Sequence, residues 1–261
     1  MKPDYKNWMP KSMVLTGVGA TAVFLLLFIL FGLTGLVSGA LKTVLFTVFL
    51  IGAAVGLIAS VWMALMYRAF SYKGKRQLSK QIIDGIALHV NLPDGGKGLD
   101  VGCGSGALAI ACAKRNPNAS FIGVDRWGKE YASFNKPLCE YNAKAEGVGN
   151  VSFRRGDATK LDFPDGSFDA VVSNYVYHNI PGDRQAYLLE TLRTLKKGGT
   201  FALHDIFSKT KYGDMQAFLR KLKDMGYERA ELLDTTDGNP ITKREAVWME
   251  LSGSALLIGR K

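Results

Sequence analysis

The run Leu99-Asp100-Val101-Gly102-Cys103-Gly104-Ser105-Gly106 joins a short apolar stretch to three glycines at alternate positions. Glycines in such a turn let the backbone approach a ligand closely, and a helix starting there turns free N–H groups toward it. With Ala107 the run also satisfies the dinucleotide pattern G-x-G-x-x-[GA], and Asp125 lies near the distance at which a ribose-binding carboxylate is expected. A tight strand-to-helix turn with no ligand is the alternative for the motif in isolation. Residues farther along narrow the chemistry. Asp125 ends Phe121-Ile122-Gly123-Val124, where a carboxylate can accept from both ribose hydroxyls. Arg155-Gly156-Asp157-Ala158 follows a third strand, where a carboxylate can accept from an adenine amino group.

The elements that position these residues alternate between strand and helix. Gly98–Val101, Ser120–Val124, Val151–Phe153, Ala170–Ser173 and Thr200–His204 read as short buried strands. Helices are expected near Gln77–Val90, Ala107–Arg115, Tyr131–Glu146, Asp183–Leu195 and Asp214–Met225. Such alternation predicts an α/β fold: a Rossmann-like, seven-stranded, mostly parallel sheet with helices on both faces. Arg229–Leu233, Glu245–Leu251 and Ala255–Gly259 read as strands closing that sheet, one of them antiparallel.

Phe168-Asp169-Ala170-Val171-Val172-Ser173-Asn174 forms the fourth strand and its exit, and Leu195-Lys196-Lys197-Gly198-Gly199 precedes the fifth. With the glycine run, Asp125 and Asp157, this series resembles the class I S-adenosylmethionine-dependent methyltransferases of the small-molecule type, across nearly all of Gln77–Asp205. Five motifs stand in the family's order and spacing. Asp162 departs from the family's proline, Asn179 from its second histidine and Lys197 from the proline before Gly198-Gly199. The resemblance implies S-adenosylmethionine as cofactor. Gly102, Gly104 and Gly106 would line its methionine portion, with Asp100 behind the loop orienting the amino group. Asp125 would bind the ribose, Trp127 would pack near the adenine, and Asp157 with Ala158 would hold the adenine edge. Asn174 would lie beside the methyl group.

Methyl transfer from a sulfonium depends mainly on positioning, and a base is needed only where the acceptor must lose a proton. His178 is the expected base, with Tyr175 and Tyr177 as wall or hydrogen-bonding groups; a structural histidine fixing the loop after the fourth strand is the alternative. His204 and Asp205 leave the fifth strand and rank lower, Asp205 as a possible cap of the next turn. The cysteines Cys103, Cys112 and Cys139 form no paired metal motif, so no metal is expected. No proline pair follows Asn174, as it often does in enzymes that methylate nucleic acid bases, so a small or lipophilic acceptor fits better.

The chain has 261 residues, a net charge of +10 and a mean hydropathy of +0.05, high for a sequence that is 21% charged. The cause is the N-terminus. Met13 to Leu41 and Thr43 to Tyr67 contain no charged residue, and only Lys42 separates them. Each run exceeds the ~20 residues that cross a bilayer. Two antiparallel transmembrane helices are expected, near Met13–Leu36 and Thr43–Met66, within an N-terminal segment 1–67. A cleaved signal peptide is disfavoured by the length of the first run. Lys2, Lys6 and Lys11 precede the hairpin, and Arg68, Lys73, Lys75, Arg76 and Lys80 follow it, so both termini and the catalytic domain are expected in the cytoplasm. Gly35-xxx-Gly39 and Gly52-xxx-Gly56 could allow close helix contact. Residues 68–261 then form the domain, with 68–80 as linker and Tyr67, Phe70, Ser71 and Tyr72 as a conceivable lid. Its 29 basic against 22 acidic residues give +7, read as attraction to an anionic leaflet rather than nucleic acid binding.

These features predict a membrane-anchored methyltransferase whose partners are the lipid bilayer and a small or lipid substrate. A cofactor-binding regulatory protein without turnover and an NAD-dependent oxidoreductase are the competing classes.

Overall fold

The computed structural model describes residues 1–128 and 133–261. The chain divides into two compact units: Asn7–Ser79, and Met1–Lys6 together with Lys80–Lys261.

In the first unit, α1 (Lys11–Leu27) runs on into a π-helical segment, Phe28–Leu33, and α2 covers Gly39–Phe70. The second helix is longer than the apolar run at both ends, since nothing between Gly39 and Phe70 interrupts i→i−4 bonding. Lys11–Leu33 and Gly39–Phe70 are each long and apolar enough to cross a membrane. Their large side chains mostly point outward; Leu15 is 60% and Ile58 71% exposed. Against each other the helices approach closely. A Cβ on Gly52 would lie 2.4 Å from Phe24 Cδ1, and one on Gly56 2.8 Å from Thr21 Oγ1. The buried Thr21 and Ser60 hydroxyls meet at 3.1 Å beside that contact. Gly52 and Gly56 thus serve packing inside the hairpin, whereas Gly35 and Gly39 face open space.

The remaining elements are α3 (Leu78–Ala87), β1 (Lys97–Val101), α4 (Ala107–Arg115), β2 (Ser120–Asp125), α5 (Lys136–Ala145), β3 (Val151–Arg155), β4 (Phe168–Asn174), α6 (Arg184–Arg193), β5 (Leu195–Ile206), α7 (Lys209–Tyr212), α8 (Met215–Asp224), β6 (Arg229–Asp234), α9 (Lys243–Trp248) and β7 (Ser254–Arg260). The seven strands form one sheet in the order β3-β2-β1-β4-β5-β7-β6. Strands β1 to β5 pair in parallel, and β7 runs antiparallel to both β5 and β6. The order reverses between β1 and β4, so right-handed crossovers place the helices on opposite faces on either side of that point. Leu99, Val101, Val171, Leu203 and Leu257 are fully buried in the core between sheet and helices.

Local signals set the helix ends. Asp183 and Asp214 each accept two backbone N–H bonds at the starts of α6 and α8, and Asn135 caps α5. The helix expected over Tyr131–Glu146 therefore begins at Lys136; Tyr131 and Ala132 fall outside the described residues. The strand expected at Glu245–Leu251 is instead α9. Thr242 and Glu245 form a reciprocal capping box there, which outweighs the apolar alternation of the segment.

Candidate active site

The reversal between β1 and β4 opens a crevice at the carboxyl ends of the strands, where open α/β sheets bind ligands. The glycine loop leaves β1 at that edge. Gly102, Gly104 and Gly106 all have positive φ, at 74°, 54° and 82°. At Gly102 a Cβ would lie 2.2 Å from Val176 Cγ2, and at Gly106 it would lie 2.9 Å from Phe153 Cζ. A side chain at Gly102 or Gly106 would block this path, which delivers the chain to the N-terminus of α4.

Asp125 lies opposite this loop. Its Oδ2 accepts from Gly104 N (2.9 Å) and its Oδ1 from Trp127 N (2.7 Å). The Trp127 indole N–H in turn donates to the Gly104 carbonyl (2.9 Å), with the residue held at φ 45°. Asp125 therefore joins the ends of β1 and β2, and each carboxylate oxygen retains lone-pair capacity for a hydroxyl. Asp100 is buried beneath the loop and accepts from Ala109 N (2.9 Å). Burial pushes its carboxyl up to about 8, against the pull of the Ala109 N–H and with help from the Asp125 charge. A cationic group above the loop would reverse that balance and favour the carboxylate. Asp157 sits beyond β3, where its Oδ1 accepts from the backbone and hydroxyl of Thr159; these bonds hold its carboxyl below the usual range. Ala158 packs against the core beside it.

The other wall comes from β4 and β5. Tyr175, at φ 53°, donates its backbone N–H to His204 O and shares a 2.8 Å hydroxyl contact with Ser254. A tyrosine in left-handed backbone costs about 1 kcal/mol or more, so the surroundings must hold it there. His178 Nδ1 meets Asp205 Oδ1. Asp205 is buried and also accepts from the backbone N–H groups of Tyr177, His178 and Ile206. Burial alone would raise its carboxyl, but the His178 ring and the Ile206 N–H outweigh this and keep it low. An ionised carboxylate can only accept, so Nδ1 of His178 is the donor, and in a neutral ring Nε2 keeps a lone pair. The His178 side chain is 12% exposed.

His204 is different. It is buried between Asn174 Oδ1 (2.9 Å from Nδ1) and Thr235 Oγ1 (3.0 Å from Nε2), and burial lowers its pKa to about 4. It stays neutral and fixes the Asn174 amide at the end of β4. Tyr177 is not a wall residue: its ring lies in the core, and its hydroxyl meets Thr191 (2.7 Å).

The site thus brings Asp100, Gly102, Gly104, Gly106, Asp125 and Trp127 together on the loop side, and Asn174, Tyr175 and His178 on the strand-four side. Asp157 and Ala158 follow β3. Asp205, which the sequence ranks as a cap, proves to be the partner of His178. Val176 against the glycine loop, Ser254 and Thr235 carry no local sequence signal. They reach the site from a neighbouring loop and from the antiparallel end of the sheet. Among the described residues no group of acidic, His and Cys side chains could hold a metal.

Residues 99–203 match the methyltransferase domain family. An arsenite methyltransferase from Aquipseudomonas alcaligenes is 38% identical over 127 residues, 47% of this chain and 36% of that protein. A demethylmenaquinone methyltransferase from Geobacillus kaustophilus is 32% identical over 134 residues, 51% of this chain and 55% of that protein. The alignments thus span about half or less of these relatives' own length. Among solved structures, the [4+2]-cyclase SpnF superposes with a TM-score of 0.55 at 20% identity, over 71% of this chain and 82% of its own; that likeness concerns the fold. The positive-φ glycine cradle, the carboxylate across from it and the buried acid beneath fit a nucleoside-bearing sulfonium cofactor. Residues 99–203 thus resemble a methyltransferase domain in sequence, the sheet has the fold of such domains, and S-adenosylmethionine is the cofactor these findings support.

Proposed function

We propose that this protein is a membrane-anchored methyltransferase acting on a small, lipophilic or membrane-associated acceptor. The reading rests on one observation: the chain that carries this domain also carries two helices, Lys11–Leu33 and Gly39–Phe70, whose apolar side chains lie largely exposed. In water that surface would be costly; in a bilayer it is solvated. The basic residues flanking the hairpin favour cytoplasmic termini and a cytoplasmic catalytic unit. The menaquinone-precursor relative acts on a molecule of the expected kind.

S-adenosylmethionine supplies an activated methyl group when bound. Gly102, Gly104 and Gly106 would line its methionine portion, Asp100 would orient its amino group, Asp125 would bind the ribose, and Asp157 with Ala158 would hold the adenine edge, with Trp127 packing near it. Asn174 and Tyr175 shape the space beside the methyl position. His178 Nε2 accepts the proton of a protic acceptor, and Asp205 stabilises the resulting imidazolium.

Two measurements test the reading. Alkaline extraction of cell membranes should leave the protein in the pellet, and release into the supernatant would remove the anchor. Purified protein given radiolabelled S-adenosylmethionine and a lipid extract should label an organic-soluble product, dependent on His178. Saturable binding of the demethylated cofactor without such transfer would favour the regulatory class.

A further inference from the structure

The first six residues belong, by their contacts, to the catalytic unit. They lie along α5. Tyr141 Oη donates to the Lys2 carbonyl (3.1 Å), and Tyr5 Oη donates to Glu146 Oε1 (3.2 Å). Between these, Asn142 makes a reciprocal pair with Asp4: the Asp4 N–H donates to Asn142 Oδ1 (2.7 Å), and Asn142 Nδ2 donates to the Asp4 carbonyl (3.2 Å). The same Nδ2 donates to the Ser105 carbonyl (3.0 Å), inside the glycine loop. Asn142 is fully buried. The Tyr5 ring packs on the cluster formed by Cys103, Ile110, Cys139 and Phe153, together with Trp127. Cys139 Sγ adds a contact to the Gly104 carbonyl (3.2 Å).

We propose that residues 2–6 are a strap of the cofactor site, and that Asn142 is the positioning residue through which the strap fixes the glycine loop. A primary amide has two donors and one acceptor oxygen. Asn142 uses Nδ2 for one carbonyl of the strap and one of the loop, and Oδ1 for the strap N–H. With the strap docked, the amide has a single orientation, and the Ser105 carbonyl is drawn toward α5, away from the crevice. The adjoining Gly104 and Gly106 are then held at the positive φ angles of the cradle. With the strap displaced, the amide can rotate, a buried loop carbonyl loses its donor, and binding must restore the order that the strap provides. Cofactor affinity thus depends on residues that precede the first apolar helix and act through α5 and the back of the glycine loop.

The test uses full-length protein in lipid nanodiscs and titrates the demethylated cofactor S-adenosylhomocysteine by calorimetry. Asn142→Asp keeps the acceptor for Asp4 N–H and loses both donors. Asp4→Pro removes the strap donor and leaves every residue of α5 and the loop in place. Both should weaken binding about tenfold, the size of one lost hydrogen bond in a buried setting. Hydrogen exchange should rise at the amides of Gly104–Ala107 while the β4 and β5 amides keep their protection. A purely structural role would instead lower the melting temperature and leave the affinity of the folded fraction alone. Affinity within twofold of the unaltered protein for Asp4→Pro, with loop exchange unchanged, overturns the proposal even if the Asn142 variant fails to fold. If the unaltered protein itself does not bind the probe, the cofactor assignment fails, which is a separate result.

Discussion

The hairpin and the catalytic unit handle the same two materials, apolar side chains and backbone polar groups, in opposite ways. In α1 and α2, Leu15, Leu57 and Ile58 face outward, and the helical backbone satisfies its own N–H and C=O groups. In the sheet, Leu99, Val171 and Leu203 are enclosed, and the backbone depends on neighbouring strands far away in sequence. Polar side chains divide the same way. The buried Thr21 and Ser60 hydroxyls bond each other and their own helices' carbonyls at Gly17 and Gly56, whereas Asp125, Asp205 and Asn142 each tie together segments of different elements. One region is specified by composition; the other depends on particular groups meeting.

Substitutions should therefore be costly in the catalytic unit and mild in the hairpin. The largest effect is expected for His178→Ala, which should slow methyl transfer about a thousandfold with little change in cofactor affinity; a rate within threefold would return His178 to a structural role. Next is Asp125→Ala, which removes the ribose acceptor and the link between the Gly104 and Trp127 amides. Calorimetry should show a loss of about a hundredfold for S-adenosylhomocysteine.

Asp100 acts on stability rather than on binding or rate, and with a definite sign. Its carboxyl is raised to about 8 by burial, whereas an unfolded aspartate titrates near ~4. Below the unfolded value both states are protonated and nothing is lost. As pH rises through that interval only the folded state keeps the proton, so stability falls by about 1.4 kcal/mol per pH unit and levels off above the folded value. Asp100→Asn should flatten this decline in denaturant titrations of the cofactor-free protein. Parallel pH profiles for the two proteins would contradict the burial argument. Smallest is Thr21→Val, which breaks the hairpin's hydroxyl pair at about 0.6 kcal/mol, a typical value for such bonds in membranes. A loss of several kcal/mol, read by reversible unfolding in mixed micelles, would mean that the hairpin too depends on a particular contact.

Much of the fold was legible because its signals are local. The β1 and β2 strands, the glycine turn and the start of α4 follow from short apolar runs and glycines, and the hairpin from uncharged length. The strand expected at Glu245–Leu251 shows the limit: alternating apolar residues suggested a strand, but Thr242 and Glu245 capped a helix. At the site, Asp125 and His178 stood out by position after their strands. Asp205 did not, since its partnership with His178 exists only once β5 lies beside β4. His204 and Tyr177 looked like site residues in sequence, yet pairing and packing turned them toward Asn174 and the core.

Neighbours within a few residues suffice for the two apolar helices, the alternation of strand and helix, and a glycine loop whose path a Cβ at Gly102 or Gly106 would block. Tertiary structure decided which polar groups became partners. A carboxylate or amide in a buried crevice is worth what it bonds to, and Asp205 with His178, or Asn142 with Asp4 and Ser105, are brought together from distant positions by strand order and helix packing.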